Sequence, residues 1–223
     1  MSSPEKTDRP VWLFGRTELI IVILLGLVSL GTAFVSFEAS LYGGIQQASY
    51  TKGNNLQTEA ESLYLEGNQQ FQKDAQTIAD LRQLQAAIDA GDPYAQARYD
   101  ELYFISVTGT DLEPAFEAAL AQDEADPEFW HDPQADEDYQ NALFGAYAEK
   151  ADEGQAQIAV GDEANGFGDR LTLSTVMMAI TLFLLGVAAV IRRPRTQIVI
   201  AIIGMVIFTG AAIFASTVPF VWL

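Results

Sequence analysis

Charge is excluded from three stretches of this chain, residues 19–37, 171–191 and 198–223, and most of its acid lies between the first two. The stretches are 19, 21 and 26 residues long. A helix needs about 20 apolar residues to cross a hydrocarbon core of ~30 Å. A spanning segment must also satisfy its backbone hydrogen bonds internally, which a helix does. Buried helices of a water-soluble globule seldom run so long without a charge. The expected fold is therefore an all-α membrane protein with three transmembrane helices.

Lys6, Arg9 and Arg16 precede the first stretch, as in a secretion signal. The apolar run nevertheless exceeds the ~7–15 residues of a signal core. Glu38 also stands where a cleavage site wants a small residue. An uncleaved anchor is expected. Lys and Arg near span ends mark the cytoplasmic side. They occur before the first span and in Arg192, Arg193 and Arg195 between the second and third. The predicted layout in the cell membrane is a cytoplasmic tail (1–15), a first span (16–38), an extracytoplasmic domain (39–170), a second span (171–191), an Arg-rich cytoplasmic turn (192–197) and a third span (198–223) ending outside. Trp12, Phe14 and Trp222 fall where interfacial aromatic belts belong.

Residues 39–170 hold 26 acidic and 6 basic side chains. That sign excludes nucleic acid as a partner of this domain. It suits solvation in a salty or acidic medium, attraction of cations, or a basic protein partner. Cysteine is absent, so disulfides and thiolate chemistry are excluded.

Helix-compatible sequence continues from the first span to about Ala90. Ala60, Leu63, Gly67, Phe71, Ala75, Ile78, Leu81, Leu84 and Ile88 recur at steps of mostly three and four, the spacing of a helical seam. Gly43-Gly44 and Gly53-Asn54-Asn55 are the expected places for a kink or break. Gly91-Asp92-Pro93 is a stop signal. Short helices are predicted over 93–103 and 113–122, with 104–107 extended and 108–111 a turn. A long helix is predicted to begin near 133–136. Its stretch 154–168, with four glycines, is weak helix. The outer domain thus reads as an acidic extracytoplasmic helical hairpin capped by two short helices.

Asp123–Asp138 is the densest acidic stretch and holds the single histidine, His131. Asp126, Glu128, Asp132, Asp136 and Asp138 are candidate ligands for a divalent cation such as Ca²⁺, which takes hard oxygen donors. The alternating EF-hand pattern is absent, and a solvated acidic loop explains the same residues. Glu38, at the end of the first span, is a candidate membrane-coupling residue, because an ionisable group at membrane depth is a functional hypothesis by default; an interfacial role is its alternative. Thr172, Ser174, Thr175 and Thr181 could line a polar seam in the second span. Gly26, Gly31, Gly186, Ala188, Ala189, Gly204, Gly210, Ala211 and Ala215 permit close helix approach.

No nucleophile elbow, phosphate loop, dinucleotide fingerprint or zinc-protease motif occurs. The segment 33–48, AFVSFEASLYGGIQQA, resembles the end of the first span in small bacterial membrane proteins that surround a helical loop with one N-terminal span and a C-terminal two-span hairpin. The resemblance implies the layout and carries no activity, cofactor or site residue. The function expected is a non-enzymatic, oligomeric scaffold or partner-binding protein that needs no cofactor. The alternative is a subunit of a homo-oligomeric channel or transporter with a cation-attracting vestibule.

Overall fold

The computed structural model describes the backbone of residues 11–221 and the side chains of residues 17–221. The expectations for residues 1–10, and for the side chains of Trp12, Phe14 and Trp222, lie outside the described residues. The described residues are all-helical, without a strand: α1 (Val11–Asp89), α2 (Ala95–Ser106), α3 (Leu112–Ala125), a 3-10 turn (Pro133–Ala135), α4 (Glu137–Val190) and α5 (Pro194–Ala215). Three of these helices, α1, α4 and α5, are long and apolar enough to cross a membrane. The chain divides into two compact units, Met1–Tyr50 with Ala159–Leu223, and Thr51–Ile158.

In the first unit, α1 buries Ile21, Val28, Val35, Tyr42 and Ser49 at seven-residue steps. The first four of these cluster with Leu171, Met178, Leu185 and Ala188 of α4 and Ala211 of α5. The Phe208 ring lies 3.3 Å from where a Cβ on Gly31 would stand, so glycine admits the ring there. Pro194 opens α5, a position where its missing N–H costs nothing.

The third apolar stretch is not helical to its end. α5 stops at Ala215 and residues 216–221 are irregular. Ser216 and Thr217 donate their hydroxyls to the carbonyls of Ile213 and Phe214, both at 2.7 Å, competing with helical backbone bonding. Pro219 lacks an N–H and disfavours helical backbone before it. The 22 residues of α5 remain sufficient for a span.

In the second unit the ladder resumes four residues after Ser49, with Gly53, Ala60, Gly67, Asp74 and Leu81 buried. α1 is helical through Gly43-Gly44 and Gly53-Asn54-Asn55, without a break at either, and the glycine-rich part of α4 is helical throughout. At Gly53 and Gly154 the reason is contact. A Cβ on Gly53 would stand 2.9 Å from the Gly154 carbonyl oxygen, and one on Gly154 would stand 3.1 Å from that of Gly53. Tyr64 meets Phe144 and Tyr147, and Phe71 meets Tyr139, so contacts of α1 and α4 here run in opposite chain directions.

α1 ends as its sequence dictates. Gly91 has φ +85°, its N–H bonds Ile88 O at 2.9 Å, and Asp92 N–H bonds Ala87 O at 3.0 Å. That pair is a Schellman motif, which glycine enters without a Cβ penalty. The segment 104–107, expected to be extended, instead continues α2 to Ser106. Its β-branched and aromatic residues favour strands only weakly. The helical course exposes Phe104 and Ile105 and buries Val107 beside Leu112 and Phe116.

Candidate functional site

The five acidic candidates of the 126–138 region are dispersed over separate tasks. Asp126 is the C-cap of α3, its N–H bonding Gln122 O. Asp132 Oδ1 accepts the Gln134 N–H at 3.0 Å, capping the 3-10 turn. Asp136 Oδ1 accepts the Tyr139 N–H at 2.9 Å, capping α4. Glu128 and Asp138 are exposed. Among the described residues no three His, Cys, Asp or Glu side chains are grouped so as to hold a metal ion.

The loop instead brings Asp123 and His131 together. Asp123 Oδ1 accepts from the His131 backbone N–H at 2.8 Å and lies 2.9 Å from His131 Nδ1. Burial works to raise the Asp123 carboxyl. The hydrogen bonds from His131, with the charges of His131 and Arg82, outweigh it and hold the group below its ordinary value of 3.8. Beside this pair the Arg82 guanidinium lies 3.8 Å from the centroid of the Trp130 ring, a cation–π contact. All four residues line a groove of about 730 Å³ with Leu81, Phe116 and Leu120, and with Asp89 and Glu124. The lining joins apolar side chains to a few fixed charges. Sequence reasoning singled out His131 and the acidic run but missed Arg82 and Trp130, which lie 48 positions apart. The available signal was Arg82 beside the seam residue Leu81.

A second polar cluster is structural. Tyr139 donates its hydroxyl to Asp74 Oδ2 at 2.8 Å, and Gln70 Nε2 donates to Asp74 Oδ1 at 2.8 Å. Burial, opposed by a Gln134 hydrogen bond and reinforced by the Asp74 carboxylate, pushes the Tyr139 hydroxyl well above the ordinary tyrosine value. Gln134 Nε2 donates to Phe71 O at 2.8 Å, fastening the 3-10 turn to α1. A carboxylate at a seam position was the overlooked signal.

In the other unit, Glu38 is 4% exposed. Its Oε2 accepts the Val221 N–H at 3.3 Å. Tyr42 donates its hydroxyl to Pro219 O at 2.6 Å. The Phe34 and Phe220 rings stack at 5.5 Å. Three α1 side chains thus hold the irregular 216–221 segment. In the second span, Ser174 and Thr181 are buried, whereas Thr172 is exposed. Ser174 and Thr175 bond Arg170 O and Leu171 O of their own helix at 3.0 Å. Thr181 Oγ1 lies 3.2 Å from Met177 O and 3.1 Å from Gly204 O of α5.

No protein-family model, no curated protein and no solved structure matches this chain.

Proposed function

We propose that this chain is a non-enzymatic, oligomeric membrane protein whose acidic helical hairpin, held outside the cytoplasm, binds a basic partner protein through the groove at Arg82, Trp130, Asp123 and His131. The observation that carries the reading is that groove's composition. Leu81, Phe116, Leu120 and Trp130 offer apolar contact, and Asp89, Asp123 and Glu124 outnumber Arg82 among its charged lining. The surrounding unit, residues 51–158, has 23 acidic against 5 basic side chains. A basic, apolar-faced segment meets that field with matching charge. Trp and Arg are the residue types that most often dominate binding energy at such surfaces.

The use of Asp132 and Asp136 as caps supports a structural role for the acidic loop rather than a catalytic one. The test places a photo-crosslinking amino acid at Leu120 in intact membranes. The expected result is an adduct with a second polypeptide that disappears in Trp130→Ala. Adducts with lipid alone, or an adduct indifferent to Trp130, would refute the groove. Protease added from outside should cleave the 51–158 region in intact cells; protection there would overturn its placement.

A further inference from the structure

Glu38 lies at the end of a 19-residue charge-free run, faces the interior of its unit and is 4% exposed. It lines a cavity of about 510 Å³ whose other lining includes Phe34, Leu171, Met178, Phe208 and Phe220. Among the described residues, Ser216 is the only other lining residue with a polar side chain, and no Lys, Arg or His lines the cavity. The carboxylate's hydrogen bond among the described residues is the single one from Val221 N–H, long at 3.3 Å.

An ionised carboxylate in such surroundings costs several kcal/mol unless a cation or further hydrogen bonds compensate it. The cavity falls within the ~300–1,000 Å³ range of small-molecule sites and joins an apolar wall to one convergent charge. Phe34 and Phe220 line it as a stacked pair, and aromatic faces attract an ammonium group.

We propose that this cavity binds a lipophilic amine. The protonated nitrogen pairs with Glu38 and the apolar body lies among Phe34, Met178, Phe208 and Phe220. The 216–221 segment forms part of the wall and is held by the Tyr42 hydroxyl on Pro219 O at 2.6 Å. The site is independent of the partner-binding groove, because none of its residues belongs to the 51–158 unit.

The test uses the full chain in lipid nanodiscs with n-octylamine as probe and n-octanol as its uncharged equivalent, read by saturation-transfer NMR. Octylamine is expected to bind saturably and at least tenfold more tightly than octanol. Glu38→Gln should weaken octylamine at least tenfold and leave octanol unchanged. Ala212→Leu keeps the carboxylate and fills part of the cavity, and it should weaken both probes. Equal binding of the two probes would mean that Glu38 acts as a neutral hydrogen-bonding group. Octylamine binding unaltered in Glu38→Gln would mean partition into the bilayer. Either result overturns the proposal. Should Glu38→Gln fail to fold, unchanged octylamine binding in Ala212→Leu overturns it equally.

Discussion

Gly67→Ala and Gly145→Ala are the same chemical change in two helices of one unit, and they should move stability in opposite directions. A Cβ on Gly67 would stand 2.5 Å from the Leu143 carbonyl oxygen and 3.1 and 3.2 Å from two Phe144 ring carbons. A relaxed carbon–oxygen contact is about 3.3–3.6 Å, so α1 and α4 would have to part locally by most of an ångström. The obstacle is backbone, which cannot rotate aside. Overpacking of this kind costs about 1–3 kcal/mol. Alanine returns roughly 1 kcal/mol of helix propensity. The upper half of the overpacking range applies to a rigid obstacle, leaving a net loss of about 1–2 kcal/mol. Gly145 has nothing within 4 Å of its Cβ position, so its alanine variant keeps the whole propensity gain of up to ~1 kcal/mol. At roughly 2–4 °C per kcal/mol for a chain of this size, Gly145→Ala should raise Tm by about 2–4 °C and Gly67→Ala should lower it by about 2–8 °C. Far-ultraviolet circular dichroism of the detergent-solubilised chain measures both. A Gly67→Ala variant as stable as Gly145→Ala would refute the close approach of α1 and α4 at this level.

Tyr139→Phe should cost about 1–3 kcal/mol, because it deprives the Asp74 carboxylate, 2% exposed, of its Tyr139 hydrogen bond; faster amide exchange in residues 70–78 reports it, and unchanged exchange would sink the argument. The Asp123 carboxyl, held below 3.8 in the native unit, stabilises the fold above that value and loses the contribution as pH falls through its native pKa. His131→Ala should raise that pKa toward 3.8, followed by carboxyl-carbon NMR titration; an unmoved value would deny the pairing. Thr181→Val removes the bond to Gly204 O at 3.1 Å and should cost about 0.6 kcal/mol, with an upper bound near 2; resistance to denaturing detergent should fall slightly, and a large collapse would mean that the hydroxyl does more than join two helices.

What the sequence made legible was whatever a single helix decides by itself. The three apolar runs contain their own period and need no partner to be seen, and Gly91-Asp92-Pro93 writes its Schellman end in adjacent residues. The seam of α1 was visible for the same reason: Ala60, Gly67, Ile78 and Leu81 are buried. What failed were judgements in which a distant residue reverses a local preference. Gly53 and Gly154 read as weak points because glycine disfavours helices in isolation; in the folded unit their missing side chains let the two backbones meet. Phe104 and Ile105 read as strand until burial of Val107 set the course of α2. The end of the third apolar run read as span because hydropathy counts Val218 and Val221 but not the effect of Pro219 on the backbone.

The acidic loop and Glu38 show why charge alone misleads about sites. Eight carboxylates within 123–138 look like a cation trap, yet two of them spend an oxygen on a helix or turn cap and a third is paired with His131. A carboxylate already accepting backbone N–H bonds has less to offer a metal, and caps lie where chain ends fall rather than where a coordination sphere would converge. Glu38 is the reverse case, one acid in a long apolar context, with one weak backbone partner. Solvated carboxylates lose little by standing empty. Glu38 is 4% exposed and lines a cavity with Phe34, Met178 and Phe208; a carboxyl group so placed has fewer ways to be satisfied than a solvated one, which makes the solitary acid more informative about ligands than the crowd.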